Sequence, residues 1–177
     1  MKIANARWLI ASLVIFLRAA QAGEPAPVDA FVGDWVGVGL KEDVTSIAAG
    51  QVDYAVRDLD VTIERAETGL NITWTTRWRL DGASEKKSTS MTLIETAPGV
   101  FVGTENGDVL KGDTAVWGRI EEQSLIVYVF EVDEAGIYDL ARYERTLSTN
   151  GRMFLQFRRT RDGTTVRSVN GELVRAP

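Results

Sequence analysis

Arg142 and Tyr143 stand side by side in "LARYERTL", and an arginine beside a tyrosine is the pairing that can clamp a ligand carboxylate, the planar guanidinium gripping both oxygens. Aromatic side chains suited to the rest of such a ligand occur nearby in the sequence pattern. Trp74 and Trp78 lie two pleats apart in "ITWTTRWRL", Trp117 stands in "AVWGRI", and Tyr128 and Phe130 share a parity in "SLIVYVFEV". Trp74, Trp78, Trp117, Tyr128, Phe130 and Arg142 are therefore the candidate ligand-binding set, a wall of rings with one basic anchor. The competing reading is that the aromatics simply fill a protein interior, and that the arginines are cross-strand partners of neighbouring acids. Arg158, Arg159 and Arg161 in "LQFRRTR" and Arg145 in "RYERTL" are open to the same two readings.

The chain contains no histidine and no cysteine. The commonest zinc ligand, the usual near-neutral acid/base and the thiol nucleophile are all missing, which removes zinc hydrolysis, imidazole-ligated haem and the usual serine or cysteine triads. The carboxylate pairs Glu121-Glu122 and Asp133-Glu134 sit in turns and do not extend into the alternating oxygen series that a calcium loop needs. Asn71-Ile72-Thr73 matches a glycosylation acceptor but falls in mid-strand. No catalytic residue, metal site or cofactor is assigned, and an enzyme would have to work with Asp, Glu, Tyr and Arg alone. A formal net charge of −5 speaks against nucleic acid, whose binding is built on neutralising phosphates.

Such residues need elements to hold them, and the elements are strands. Leu70, Ile72, Trp74, Thr76, Trp78 and Leu80 share one parity and Asn71, Thr73, Thr75, Arg77 and Arg79 the other, the period of a strand with one dry face. "LDVTIE" just upstream alternates in the same way, and Ala66 to Gly69 links the two as a hairpin. Further strands are expected over Ser88–Thr96, Val100–Thr104, Val109–Ile120 with a bend at Gly112-Asp113, Ser124–Val132, Ile137–Leu147, Arg152–Thr160 and Thr164–Arg175. Turn chemistry such as Pro98-Gly99, Asn150-Gly151 and Asp162-Gly163 separates them, leaving no room for crossover helices. The expected fold is all-β, a single up-and-down antiparallel β-barrel of about 8–10 strands. Lys41–Val52 breaks the rhythm and reads as a flap over a barrel mouth or an ordinary surface loop.

At the amino end, Lys2 and Arg7 precede the apolar run "WLIASLVIFL" and the small-residue exit Ala20-Gln21-Ala22, the order of a secretory signal peptide. The expected organisation is a signal over residues 1–22, a linker over 23–30 and a β-barrel domain over 31–177, with a periplasmic or secreted location. The absence of cysteine then leaves an exported chain to be held by packing alone. A lipid-spanning barrel shares the same period with its faces inverted, but "KSTSMT" is too polar for lipid on both parities.

Gly33-Asp34-Trp35, opening the first strand of "FVGDWVGVGL", resembles the G-x-W motif of the calycin superfamily, the lipocalins and fatty-acid-binding proteins. That resemblance implies a tryptophan closing one end of the barrel against a basic side chain from a late strand; Arg175 is the candidate, with Arg158 or Arg159 as alternatives. Read from the residues alone, Gly33, Gly37 and Gly39 are no phosphate cradle, because they alternate with strand residues instead of leading into a helix; they let the strand coil or another backbone approach. The function expected is an exported, lipocalin-like barrel, not membrane-integral, that binds a small hydrophobic or aromatic ligand inside. The alternative is a solid barrel serving as a cell-envelope interaction or assembly module with a protein partner.

Overall fold

Alternation leaves each segment with one dry face, and a sheet of such segments can bury all of them together by curling until its edges meet. The computed structural model, which describes residues 25–43, 54–80 and 83–177 with side-chain detail over 25–40, 59–77 and 86–177, shows this closure. Ten antiparallel strands form a closed barrel in chain order, the first pairing with the last. They are β1 (Gly33–Asp43), β2 (Tyr54–Ala66), β3 (Gly69–Leu80), β4 (Ala83–Ala97), β5 (Val100–Gly103), β6 (Ala115–Glu121), β7 (Ser124–Val132), β8 (Tyr138–Leu147), β9 (Met153–Arg161) and β10 (Thr164–Arg175).

The expected barrel and most strand bounds hold, and β7 and β10 have the expected limits. One segment differs. Val109–Lys111 is a 3-10 turn capped by the Asp108 carboxylate, which accepts from the Leu110 N–H; β6 begins only at Ala115. The Asp108 side chain bonding back to the chain offers this segment a turn in place of a ladder. Residues 1–22, read as a signal, lie outside the described residues, as do 44–52 of the expected flap; Lys41–Asp43 continue β1.

The two ends of the barrel differ. At one end the inward side chains Ile63, Leu70, Leu93, Phe101, Leu125, Met153 and Leu173 are fully buried and leave no opening. The segment before β1 seals this end. Its 3-10 turn, Val28–Ala30, brings Ala26, Val28 and Phe31 into the same cluster, and Ala26 N–H donates to the Glu122 carbonyl at 2.6 Å. Of residues 23–30, expected as a linker, Ala26 and Val28 lie in the core and Ala30 packs against it. The other end carries the links β1–β2, β3–β4, β5–β6, β7–β8 and β9–β10 and forms the mouth.

Gly37 shows why β1 is rich in glycine. A Cβ placed there would collide with the Glu172 carbonyl oxygen of β10, so the seam that closes the barrel needs a residue without a side chain.

The outer surface is of two kinds. On β3 and β4 it carries hydroxyl pairs, Thr73 with Ser90 at 2.9 Å and Thr75 with Ser88 at 2.7 Å, in place of the apolar band a lipid-spanning barrel requires. On β4 to β7 the outward residues Ile94, Val102, Trp117 and Tyr128 run in register across four strands. No helix of the described residues is long and apolar enough to cross a membrane.

Candidate binding site

β8 enters the barrel at the mouth and descends toward the sealed end, so its inward residues sample every depth. Asp139, Ala141, Tyr143 and Arg145 face inward in that order, set by their pairing with Val127, Val129 and Leu125 on β7 and with Phe157, Arg159 and Leu155 on β9. Arg145 therefore stands one pleat above the packed layer of Leu147 and Met153. Above it opens a cavity of about 570 Å³, within the size range of small-molecule sites. Leu59, Val61, Leu155 and Val169 make its apolar walls, Trp74, Tyr143 and Phe157 its aromatic side, and Arg145, Arg167, Lys87 and Asp60 its charged groups.

The rings form a chain. Trp74 and Tyr143 lie 5.0 Å apart between centroids and Tyr143 and Phe157 4.8 Å, both tilted, the geometry that ring quadrupoles favour. The guanidinium of Arg145 lies 5.9 Å from the Trp74 centroid and 5.8 Å from that of Tyr143, and Arg167 lies 6.0 Å from Phe157. These cation-π contacts are the only described compensation for Arg145, which is 1% exposed. Its Nε–H finds no acceptor among the described residues, and none of their carboxylates forms a salt bridge with it. Burial pulls its pKa down to about 10, against a smaller opposing pull from Tyr143. Burial also raises the Tyr143 phenol above its ordinary value, so at neutral pH the pair is one cation and one neutral ring.

Arg167 reaches the cavity through an irregularity. Between Thr165 and Arg167 the β10 register slips by one residue, so Thr165 pairs with the outward Thr160 whereas Arg167 pairs with the inward Arg159. A bulge commonly re-aims side chains in this way. The Arg167 Nε–H is likewise buried without an acceptor among the described residues. At the mouth, Arg159 grips both oxygens of Asp139 at 2.8 and 3.0 Å, and Arg161 joins Asp139 to Asp133. The hydrogen bond from Arg159, with the charges of both arginines, holds the Asp139 carboxyl below its usual range despite partial burial.

Of the described side chains expected to line a ligand site, only Trp74 faces the cavity. Trp117 is 39% exposed, because Val116, Gly118 and Ile120 occupy the inward positions of β6, and it stacks on Tyr128 at 5.2 Å outside the barrel. Tyr128 and Phe130 share that outer face, since Val127 and Val129 point inward opposite Tyr143 and Ala141. Arg142 is outward as well, paired to Glu144 at 2.7 Å. The Trp78 side chain lies outside the described residues, although its backbone pairs with Glu85. The arginine beside the cavity is thus Arg145, one odd step from Arg142, and the tyrosine beside it is still Tyr143. Burial of Arg145 without an acid opposite was not readable from "LARYERTL"; sharing the parity of Tyr143 and Leu147 was its one visible signal.

Gly33, Trp35 and Arg175 meet at the sealed end. The Arg175 guanidinium lies 4.4 Å above the Trp35 ring and donates to the carbonyls of Val32 at 2.7 Å and Ala30 at 3.1 Å. Trp35 Nε1–H donates to the Phe31 carbonyl at 3.0 Å. A Cβ on Gly33, whose φ of 135° suits only glycine, would strike Arg175 Nη1. Arg158 and Arg159 are remote from this end, on the outer face and at the mouth. Among the described residues no group of histidine, cysteine, aspartate or glutamate side chains could hold a metal ion.

No family model matches the chain, and no curated protein sequence does. Among solved structures it is similar to a protein of unknown function from the DUF3598 family of Nostoc punctiforme PCC 73102, with a TM-score of 0.58 and 10% identity over 86% of this chain. The chain spans 50% of the length of that protein. It is also similar to the S-type phycobiliprotein lyase CPES of Guillardia theta, with a TM-score of 0.56 and 10% identity, covering 85% of this chain and 90% of the lyase. These likenesses are of fold alone, a closed antiparallel barrel.

Proposed function

We propose that this protein binds a small, largely apolar or aromatic molecule inside its barrel. The observation that carries the reading is the cavity above Arg145, walled by aliphatic side chains and edged by Trp74, Tyr143 and Phe157. A barrel whose only task was to be rigid would fill that space with its own side chains, as it does at the sealed end. The likeness to a phycobiliprotein lyase adds support for a ligand of conjugated type and makes a bilin one candidate. The test is native mass spectrometry of the full protein purified from its own host, followed by solvent extraction and an absorption spectrum. A stoichiometric small molecule is the expected result, and a clean apo mass with no quenching of tryptophan emission by added apolar compounds removes the reading. Export belongs to the same proposal; the amino-terminal mass of that material should begin after Ala22.

A second reading is favoured by the outer surface. Ile94, Val100 and Trp117 are 37%, 45% and 39% exposed, and Ile94, Val102 and Trp117 adjoin in register. A contiguous apolar face of this sort suits an envelope protein partner. Cross-linking in the host that captures one stoichiometric protein, lost in a Trp117→Asp variant, would support it.

A further inference from the structure

The barrel carries two apolar outer faces, and they lie half a turn apart. The first is the row Ile94, Val102, Trp117 and Tyr128 on β4 to β7. The second is centred on β10, five strands from β5 in a closed ring of ten. There Val36 of β1 stands opposite Val174, and Val38 opposite Glu172, whose other neighbour is Phe154 of β9. Val38, Val174 and Phe154 are 55%, 46% and 47% exposed, a grouped set instead of the scattered single residues of an ordinary surface.

The two faces are bordered by opposite charge. Tyr128 stands opposite Arg142, which stands opposite Arg158, so two guanidiniums meet across β8 and β9, an unfavourable pairing. Glu144 answers Arg142, whereas Arg158 has no ion pair among the described residues. Beside the second face, Asp60 stands opposite Val36 and Asp34 opposite Thr62, with Glu64 further along β2. Arg77 answers Asp60 and Arg152 answers Glu172, but neither Asp34 nor Glu64 has an ion pair among the described residues. Two copies joined by the same face would set arginine on arginine, or carboxylate on carboxylate. Joining the first face to the second sets apolar on apolar with opposite charges at the border.

We propose that the partner of the Trp117 face is a second copy of this chain, bound through its Val38, Val174 and Phe154 face. This rests on the reading of the Trp117 face as a protein-binding surface, and it names what binds there. Because the contact uses different patches on the two molecules, each copy keeps one face free for a third. With the faces half a turn apart, that third copy is carried onward instead of back to the first, and the assembly is an open row of barrels. A few half-exposed side chains on each face fall short of a tight interface, so the row forms in a concentration-dependent way.

The test is sedimentation velocity on the full protein and its variants expressed in its own host. The average mass of the wild type should climb between about 10 µM and 1 mM without levelling at two copies. Trp117→Asp keeps the second face and Phe154→Asp the first, so each alone should remain a single copy. Their equimolar mixture should form a dimer and stop there. Ile94→Asp and Val174→Asp replace either variant if thermal unfolding shows that it is not folded. A mixture that remains monomeric, or a Phe154→Asp variant that associates as the wild type does, overturns the proposal. If the wild type stays monomeric while cross-linking in the host still captures a different protein at the Trp117 face, self-association falls and the interface stands. If neither occurs, both fall.

Discussion

Two arginines of this barrel each lie over a tryptophan, and their surroundings are opposite. Arg175 rests on Trp35 at the sealed end with its Nη groups held by two backbone carbonyls, while its outer edge reaches water. Arg145 lies near Trp74 at the cavity floor, fully buried and without a described acceptor at Nε. The first arginine is satisfied by the protein, so it works as structure. The second finds no acceptor for its Nε–H among the described residues, so its charge is met by rings alone there. Residue type and aromatic neighbour are shared; the difference lies in whether backbone carbonyls happen to be within reach.

The contrast predicts opposite signs on mutation. Trp35→Ala should have the largest effect, a loss of about 3–5 kcal/mol in urea unfolding, since a fully buried indole is removed from a layer with no slack. Arg175→Ala should also destabilise, by about 1–2 kcal/mol, through the lost ring contact and carbonyl bonds. Arg145→Met should instead stabilise the apo protein by about 1–2 kcal/mol, as replacement of buried charge by matching apolar volume commonly does. A loss of stability there would erase the distinction between the two arginines.

Alkaline pH sharpens the same point. Burial lowers the Arg145 pKa to about 10 in the fold, well below the ordinary guanidinium value. Above pH 10 the unfolded chain holds the proton that the folded chain gives up, so this group's contribution to stability rises with pH between those values. The stability advantage of Arg145→Met over the wild type should therefore shrink as pH is raised from 9 to 11.

Inside and outside can be separated too. Trp74→Ala should weaken binding of an added apolar aromatic compound about 5- to 10-fold, whereas Trp117→Ala should leave it unchanged. The smallest expected effect is at the mouth. Asp139→Asn should lose under about 1 kcal/mol at neutral pH, typical of partly exposed ion pairs. Because the folded Asp139 pKa is depressed, that loss should be full above pH 4 and vanish as pH falls through the lowered folded value, measured as the gap between the two unfolding midpoints.

The strands were legible because their signal is local: a dry face every second residue is present in "LNITWTTRWRL" whatever the rest of the chain does. The turns were legible for the same reason. Trp35 and Arg175 were brought together on a resemblance, and the fold does place one above the other. Trp117, Tyr128, Phe130 and Arg142, expected inside the barrel, point outward, and β7 shows why. Leu125, Ile126 and Val127 are all buried, so apolar character marks both faces and cannot tell which parity is inside. In β8 both parities carry an arginine, and only pairing with Leu125 and Leu155 turns Arg145 rather than Arg142 inward. Arg167 was hidden by a bulge, which shifts parity without any residue type to announce it.

By itself the sequence determined that this chain is a meander of amphipathic strands long enough to close, and that histidine and thiol chemistry are absent from it. Those properties follow from residue identity and from the two-residue period of an extended backbone. Tertiary structure decided which face is inside, which end is sealed and which arginines find no acceptor among the described residues. These depend on register across the whole barrel, where one slipped residue turns every later side chain of a strand to the other side.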